Sequence, residues 1–186
     1  EKDININDIE GFEKAKNKHQ DKSRTSSSGL FKGGLADTSE MSTKYHTTTH
    51  LLLTALRKVL GEHVYQKGSN ITPERLRLDF PNETKLTPQQ VKEVEDIVNT
   101  VIKQSLPVSY EEVNKQEALK RVPFAAFEEK YGDTVKLYYI GNKENPFSIE
   151  ICNGPHIENT SVLGKFKILK QENVGSGIKR IKAVLE

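Results

Sequence analysis

Two pairs of potential metal ligands stand out in the sequence, far apart along the chain. His46 and His50 are four positions apart at the start of an apolar stretch. Because residues four apart lie on the same face of a helix, both imidazoles can reach one ion. Cys152 and His156 form the second pair. Three ring nitrogens and one sulfur are a ligand set that suits tetrahedral zinc.

Other interpretations of these residues stay open on spacing alone. Histidine pairs four apart occur by chance on many helices, and a single cysteine is often a small buried apolar residue. A nucleophilic Cys152 thiolate would need an adjacent base or an activating motif, and the sequence shows neither. A serine-type triad has no recognisable signature either. A zinc site and a purely structural role are therefore the two main alternatives.

The first pair lies on a predicted helix, and the second pair follows a predicted strand. An apolar run predicts a helix over residues 46–60, and Gly61 is suited to end it because glycine tolerates left-handed geometry. Apolar alternation predicts a strand over residues 147–152. We therefore expect Cys152 at a strand end, where a site can open to solvent.

The remaining pattern predicts a folded region of mixed helices and strands. Thr87, Pro88 and Gln90 form a capping box with proline at the first helical position, ahead of the clearest amphipathic helix. Further strands are predicted at residues 75–80, 107–113, 134–140, 164–170 and 178–185, and one or two short helices within 117–130. Two long helices and about six strands predict an α+β fold with an antiparallel or mixed sheet packed against the helices.

Residues 1–36 differ in character from residues 37–186. The first segment predicts a helix whose few apolar residues form too narrow a stripe for a core element, followed by breakers that include Gly33 and Gly34. We expect a connecting helix and a flexible joint, the tail of a preceding domain, before a domain at 37–186. Because the chain begins with Glu1 and its only methionine is Met41, we expect a piece of a longer protein.

Composition excludes several classes of protein. No stretch approaches the ~20 apolar residues that a membrane-spanning helix needs. The single cysteine, Cys152, rules out a disulfide framework within the chain and favours a reducing, cytoplasmic setting. The 28 basic and 26 acidic side chains nearly balance, which excludes a purely electrostatic nucleic-acid binder.

Basic residues nevertheless cluster near the C-terminal end. Within residues 165–182, six Lys or Arg residues are accompanied by a single acid, Glu172. This pattern fits either a solvated strand face or a contact surface for nucleic-acid phosphates. The second interpretation assigns candidate nucleic-acid contacts to Lys165, Lys167, Lys179 and Arg180.

Several segments in one order resemble the editing domain of alanyl-tRNA synthetases. They are residues 46–50, 61–69, 75–80, 129–133, 152–156 and 177–184, with a looser match at 31–37. No single motif is decisive, but so many in the family's order are specific. The resemblance covers about residue 31 to the end. It implies the α+β fold of the domain common to threonyl- and alanyl-tRNA synthetases.

The resemblance also implies a cofactor, a substrate and partners. The family's zinc ligands correspond to His46, His50, Cys152 and His156. The implied activity is hydrolysis of serine, and to some extent glycine, from the acceptor end of tRNA(Ala). Gln66 corresponds to a glutamine important for editing, and Gln66 and Ser69 are the candidate catalytic-site residues that recognise the seryl hydroxyl. Other domains of the same synthetase are the implied protein partners.

Two other functions stay open beside an editing domain within a synthetase. One is a free-standing trans-editing deacylase, or the related domain of threonyl-tRNA synthetase. The other is a non-catalytic, zinc-stabilised module that docks tRNA. The metal turn also departs from the family's C-G-G-T-H pattern, because Asn153 and Pro155 occupy two of its positions. Proline at 155 supplies neither a hydroxyl nor a backbone donor.

Overall fold

The computed structural model describes Leu35, Asp37 and residues 39–125, 131–175 and 177–186. The chain divides into two units, Glu1–Lys32 and Gly33–Glu186. The predicted connecting helix and the glycine joint lie outside the described residues, so the domain boundary near residue 36 stays a prediction. The end of the predicted helical stretch at 117–130 also lies outside them.

Three helices and seven strands are present in the described part of the chain. The helices are α1 (Glu40–Leu60), α2 (Pro88–Lys103) and α3 (Lys115–Arg121). The strands are β1 (Gly68–Thr72), β2 (Arg75–Pro81), β3 (Val108–Asn114), β4 (Thr134–Ile140), β5 (Ser148–Ile151), β6 (Phe166–Gly175) and β7 (Ile178–Leu185). A 3₁₀ turn covers Thr160–Leu163. The predicted α+β class is confirmed. None of the described helices is long and apolar enough to cross a membrane.

Helix α1 begins at Glu40, earlier than predicted. The Ser39 side chain caps it by accepting a hydrogen bond from the Ser42 amide. The added turn contributes only Met41 and Tyr45 to the core, so the apolar run that located the helix begins later. The helix ends as predicted at Gly61, whose φ is +116°. His46 and His50 therefore lie inside a formed helix rather than in its first turn. Their relative positions are fixed by backbone hydrogen bonds on both sides.

Helix α2 confirms the predicted capping box. The Thr87 side chain accepts from the Gln90 amide, and the Gln90 side chain accepts from the Thr87 amide. The apolar stripe behind it buries Val94 and Val98 against α1 and the larger sheet. This packing joins α1 and α2 in one apolar core.

The strands form two antiparallel sheets rather than one. The larger sheet has the order β1-β2-β7-β6, and the smaller has the order β3-β4-β5. Strand β1 was not predicted, because only Ile71 of its five residues is fully buried and no alternation is visible. The boundaries of β4 and β7 agree with the prediction, whereas β6 extends to Gly175.

The smaller sheet has two different faces. On one face, Val135, Leu137 and Tyr139 pack with Ala118 of α3 in a separate apolar cluster. The alternate residues, including Tyr138, point to the other face because side chains alternate along a strand. Strand β5 also contacts α1. The second face of this sheet therefore lies on the same side as the histidine-bearing helix.

Candidate metal centre

The four predicted zinc ligands converge in the structure. Helix α1 carries His46 and His50, and the turn after β5 carries Cys152 and His156. Their ligand atoms all lie within 4.8 Å of one another. His46, His50 and Cys152 are buried, and His156 is partly exposed. The cluster therefore has the ligand types and spacing to bind one metal ion, with its accessible side at His156.

A hydrogen bond determines which nitrogen of His46 faces the cluster. Its Nδ1 lies 3.0 Å from the Pro155 carbonyl oxygen, which can only accept, so Nδ1 carries the proton and donates it. The unprotonated Nε2 lies 3.2 Å from the Cys152 sulfur. Such support of the ligand ring by an outer hydrogen bond is typical of metal-binding histidines. The unusual proline in the turn contributes through its carbonyl, which every residue has.

Thr47 holds the His156 ring in the same way. The Thr47 hydroxyl donates to the Thr43 carbonyl at 3.3 Å and lies 3.2 Å from His156 Nδ1. Because the hydroxyl proton is already engaged, the oxygen accepts from Nδ1–H, and it also accepts from the Ile157 amide. His156 therefore directs an unprotonated Nε2 at the other ligands.

Buried nitrogens without partners show that the site fits a metal ion. Both ring nitrogens of His50 and the Nε2 of His156 are buried and have no hydrogen-bond partner among the described residues. An unsatisfied buried polar group costs about 1–3 kcal/mol. Coordination of a cation by one lone pair of each ring removes that cost for the ligating nitrogens of His50 and His156, and the N₃S donor set is one that zinc accepts.

Burial shifts the pKa values of all four ligands toward their neutral forms. It lowers the pKa of His46 to about 4 and that of His50 to about 3, and it lowers the pKa of His156 well below 6.5. It also raises the pKa of the Cys152 thiol to about 12. Neutral imidazoles are ready to bind a metal, whereas the thiol ionises only when a cation is coordinated. A metal-free Cys152 is therefore a poor nucleophile.

Gln66 and Ser69 are brought together by the structure. The Gln66 side-chain amide donates to the Ser69 hydroxyl at 3.1 Å, and both residues are half-buried. The segment is attached to β2 through the Lys67 amide, which donates to the Asp79 carbonyl. The two side chains thus form one polar group on a fixed segment. Their role toward a substrate stays a prediction.

The four basic candidates occupy different environments. Lys165 and Lys167 are exposed, and the Lys167 ammonium lies 3.8 Å from the Glu186 carboxylate. Lys179 is only 5% exposed. Arg180 donates two hydrogen bonds to the Asp79 carboxylate, at 2.7 and 2.8 Å. Lys165 and Lys167 are therefore the members that can meet a phosphate without leaving an existing contact in the protein interior.

Two neighbours of the metal ligands were missed from the sequence. Thr47 directly follows His46, and nothing in the sequence distinguishes it from Thr48 and Thr49 as a partner of the metal ligands. Tyr138 contacts His156, with ring centroids 4.3 Å apart. Its hydroxyl also approaches Gly154 so closely that a Cβ there would lie 2.5 Å from it, and Gly154 has a φ of +65°. The pairing of β4 with β5 creates this contact, and no local pattern announces it.

The sequence is similar to known proteins of one kind. The family described as the threonyl and alanyl tRNA synthetase second additional domain matches residues 135–182, which include Cys152 and His156. An alanine–tRNA ligase of Treponema denticola is 54% identical over 95% of this chain and 29% of that protein. Those of Borrelia hermsii and Petrotoga mobilis are 51% and 45% identical, over 96% and 76% of this chain and 29% and 16% of the respective proteins.

The chain thus spans less than a third of the length of these curated relatives. The similarity to the Treponema and Borrelia proteins nevertheless extends over almost all of its residues and includes both elements that carry the metal ligands. Together with the α+β fold, these matches support a tRNA-related role. The chain belongs to the alanyl-tRNA synthetase family and represents its editing-type domain.

Proposed function

We propose that this domain binds one zinc ion and hydrolyses the ester of seryl-tRNA(Ala), and to some extent of glycyl-tRNA(Ala). The observation that carries the proposal is the cluster of four ligands, in which His50 and the Nε2 of His156 have no hydrogen-bond partner among the described residues and His46 Nε2 contacts only the Cys152 sulfur. The similarity to alanine–tRNA ligases supports this substrate class, because an enzyme that attaches alanine to tRNA also meets close analogues of alanine and benefits from their removal. We place the protein in the cytoplasm, within such a ligase.

The metal-binding step depends on protons held away from the cluster. Pro155 keeps the His46 proton on Nδ1, and Thr47 keeps the His156 proton on Nδ1. Both residues therefore offer Nε2, and Cys152 gives up its proton when it ligates. The chemistry that zinc supplies in such a site is orientation of the ester and polarisation of its carbonyl. The partly exposed His156 side is where an ester can approach.

Selection of serine over alanine falls to the Gln66–Ser69 pair. These side chains already hydrogen-bond each other, so they can also bond the hydroxyl of a seryl group. Alanine has no hydroxyl and would leave the polar groups unpaired when it displaces water. Hydrolysis would therefore spare correctly charged tRNA, as an editing domain requires.

The acceptor end of tRNA(Ala) is the proposed partner. Lys165 and Lys167 are exposed candidates for phosphate contacts, and Lys179 and Arg180 would contribute mainly by holding β7 in place. Such contacts position a nucleic acid without reading its sequence. Sequence selection would then come from other domains of the synthetase.

Hydrolysis of seryl-tRNA by the zinc-loaded protein tests the proposal. We expect release of serine much faster than release of alanine from the same tRNA. The His50→Ala variant, which removes one ligand, should lose the activity. Failure of stoichiometric zinc-loaded protein to release serine at high protein concentration would contradict the proposal.

A zinc-stabilised module that docks tRNA is the second candidate. Four protein ligands with no open position are the pattern of structural zinc sites, and this observation favours it. It predicts tRNA binding without ester hydrolysis. A free-standing deacylase, the third possibility, predicts the same hydrolysis and differs only in the length of the natural reading frame.

A further inference from the structure

We infer that Tyr110, Tyr138 and Lys136 form a stacking subsite for the terminal nucleobase of the tRNA acceptor end, beside the metal centre. The inference rests on the proposed function and deepens it, because it assigns the surface that holds the nucleoside carrying the ester. It adds a binding element on the smaller sheet, whereas the Gln66 segment is bonded to β2 and the basic cluster lies on or beside β6 and β7 of the larger sheet.

The three residues share one face of the smaller sheet. Tyr110 of β3 is paired directly with Tyr138 of β4, and residues opposite each other in a sheet point to the same face. Lys136, two positions before Tyr138, lies on that face as well. The opposite face is occupied by α3 and its apolar cluster. The Tyr110 face turns toward α1, because Glu150, the partner of Tyr138 on β5, bonds Arg57. Tyr110 itself lies on the edge strand β3 and stays exposed.

Ring contacts lead from the metal centre to Tyr110. The Tyr138 ring meets His156 edge-on with centroids 4.3 Å apart, and Tyr110 lies 5.1 Å from Tyr138. His156 is the partly exposed member of the ligand set. An ester brought to the ligands from solvent therefore passes this side. The nucleoside attached to that ester would come to rest beside the two tyrosines.

Exposure and charge fit a nucleotide. Tyr110 is 48% exposed, although it is a large aromatic residue on a strand. The Lys136 ammonium lies 4.7 Å from the Tyr110 ring centroid, even though Glu112 is its cross-strand neighbour. An exposed aromatic ring with an adjacent cation is the arrangement that binds single-stranded nucleic acids, where the ring stacks on a base and the cation meets a phosphate. The acceptor end of a tRNA is single-stranded, so its bases are available for stacking.

The test compares two short RNA oligonucleotides that carry the acceptor-end sequence, one intact and one lacking the terminal base. Binding to the zinc-loaded protein is measured by fluorescence anisotropy, without any hydrolysis. Base–aromatic stacking predicts that Tyr110→Ala weakens binding of the intact oligonucleotide by about five- to 100-fold. Tyr110→Phe should bind within about twofold of wild type, because stacking needs the ring and not the hydroxyl. The abasic oligonucleotide should bind equally to wild type and Tyr110→Ala.

A matched pair of lysine variants tests the phosphate contact. Lys136→Met should lower the salt dependence of oligonucleotide binding by about one unit of slope. Lys92→Met removes an exposed lysine of α2 and should leave the slope unchanged. Zinc content and circular dichroism spectra of each variant exclude an unfolded sample as the cause.

Three results would overturn the inference. They are no measurable binding of the intact oligonucleotide by wild type, wild-type affinity in Tyr110→Ala, and equal weakening of the intact and abasic oligonucleotides by Tyr110→Ala. Failure of the proposed function gives a different result. If wild type leaves seryl-tRNA intact while Tyr110→Ala selectively loses the intact oligonucleotide, the subsite stands and the deacylase proposal fails.

Discussion

The guanidinium of Arg57 lies 2.7 Å from the carboxylate of Glu150, and the two side chains are only 7% and 10% exposed. Arg57 is on α1, downstream of His50, and Glu150 is on β5, just before Cys152. The same guanidinium donates from Nε to the Val64 carbonyl at 2.9 Å. One side chain thus joins the helix with two ligands, the strand that leads to the third, and the segment that leads to Gln66.

Loss of Arg57 should therefore destabilise the protein strongly. Arg57→Met leaves a buried carboxylate without its partner, which typically costs about 3–5 kcal/mol. The double variant Arg57→Met/Glu150→Leu removes both charges and should be more stable than Arg57→Met alone. Denaturant unfolding of both variants and of Glu150→Leu measures the coupling. If the loss of unfolding free energy in the double variant equals the sum of the losses in the two single variants, Arg57 and Glu150 do not interact directly.

Zinc should be lost when a ligand is removed. Cys152→Ala and His50→Ala should contain no stoichiometric zinc by elemental analysis, whereas His63→Ala should keep it, because His63 is exposed and bonds Asn82 instead. A ligand that binds only the folded protein stabilises it by RT ln(1 + L/Kd), where L is the free ligand concentration, which is about 2.7 kcal/mol when L is at 100 times the Kd. A chelator should therefore lower the Tm of wild type. Full zinc retention in both ligand variants would refute the assignment.

The metal-free protein should become less stable in mild acid. Folding lowers the pKa of His46 from 6.5 to about 4 and that of His50 to about 3. Between those values and 6.5 the unfolded chain binds more protons, so the free energy of unfolding falls as the pH falls, by about 1.4 kcal/mol per unit for each fully differing group. Above pH 6.5 the contribution is complete. Urea unfolding at several pH values measures this dependence. In His50→Asn the free energy of unfolding should vary less steeply with pH than in wild type. An unchanged slope would show that His50 is not a cause of the loss of stability in acid.

Gln66→His should impair hydrolysis of seryl-tRNA without loss of zinc. The variant removes the amide that bonds Ser69 and places a ring in the same space. Loss of a positioned group in a hydrolytic site costs on the order of 10² in rate. Gln116→His, at an exposed position of α3, is the control and should behave as wild type. A wild-type rate for Gln66→His would move the pocket elsewhere and leave the function standing.

The exposed lysines should contribute to tRNA affinity. Lys165→Ala and Lys167→Ala should weaken binding to tRNAs of different sequence by similar factors and reduce the salt dependence, because phosphate contacts carry no sequence information. Arg180→Ala also breaks two hydrogen bonds to Asp79, so its effect must be corrected for stability. Unchanged affinity and salt slope in both lysine variants would favour a solvated strand face.

Local patterns predicted the elements that carry the ligands. The apolar run over residues 46–60 and the glycine stop at Gly61 located the helix, and the i, i+4 spacing put His46 and His50 on one face of it. The capping box of Thr87 and Gln90 located the start of α2, because this pattern satisfies the free backbone amides of a first helical turn. Sequence spacing alone did not join Cys152 to the histidines, since that proximity depends on tertiary packing. The resemblance to a known family supplied the expectation, and the geometry of the ligand atoms agrees with it.

Features that depend on strand pairing were beyond local prediction. Strand β1 buries a single residue fully, Ile71, and the start of α1 contributes only Met41 and Tyr45 to the core. The contact of Tyr138 with His156 exists because β5 pairs with β4 in one register. Lys179 belongs to a basic run in the sequence, yet its alternate position on β7 turns it inward. The alternation of residues along a strand shows which side chains share a face. Which of the two faces is buried depends on how the strand pairs and packs in the folded sheet.

The bond from His46 to the Pro155 carbonyl makes one half of the metal turn tolerant of sequence change. A main-chain oxygen is present whichever residue occupies position 155, so exchange of this proline keeps the acceptor as long as the turn keeps its shape. His156 depends instead on the Thr47 hydroxyl, which only serine among the common residues can replace in kind. Natural variation should therefore be freer at 155 than at 47, although both positions serve the same ion.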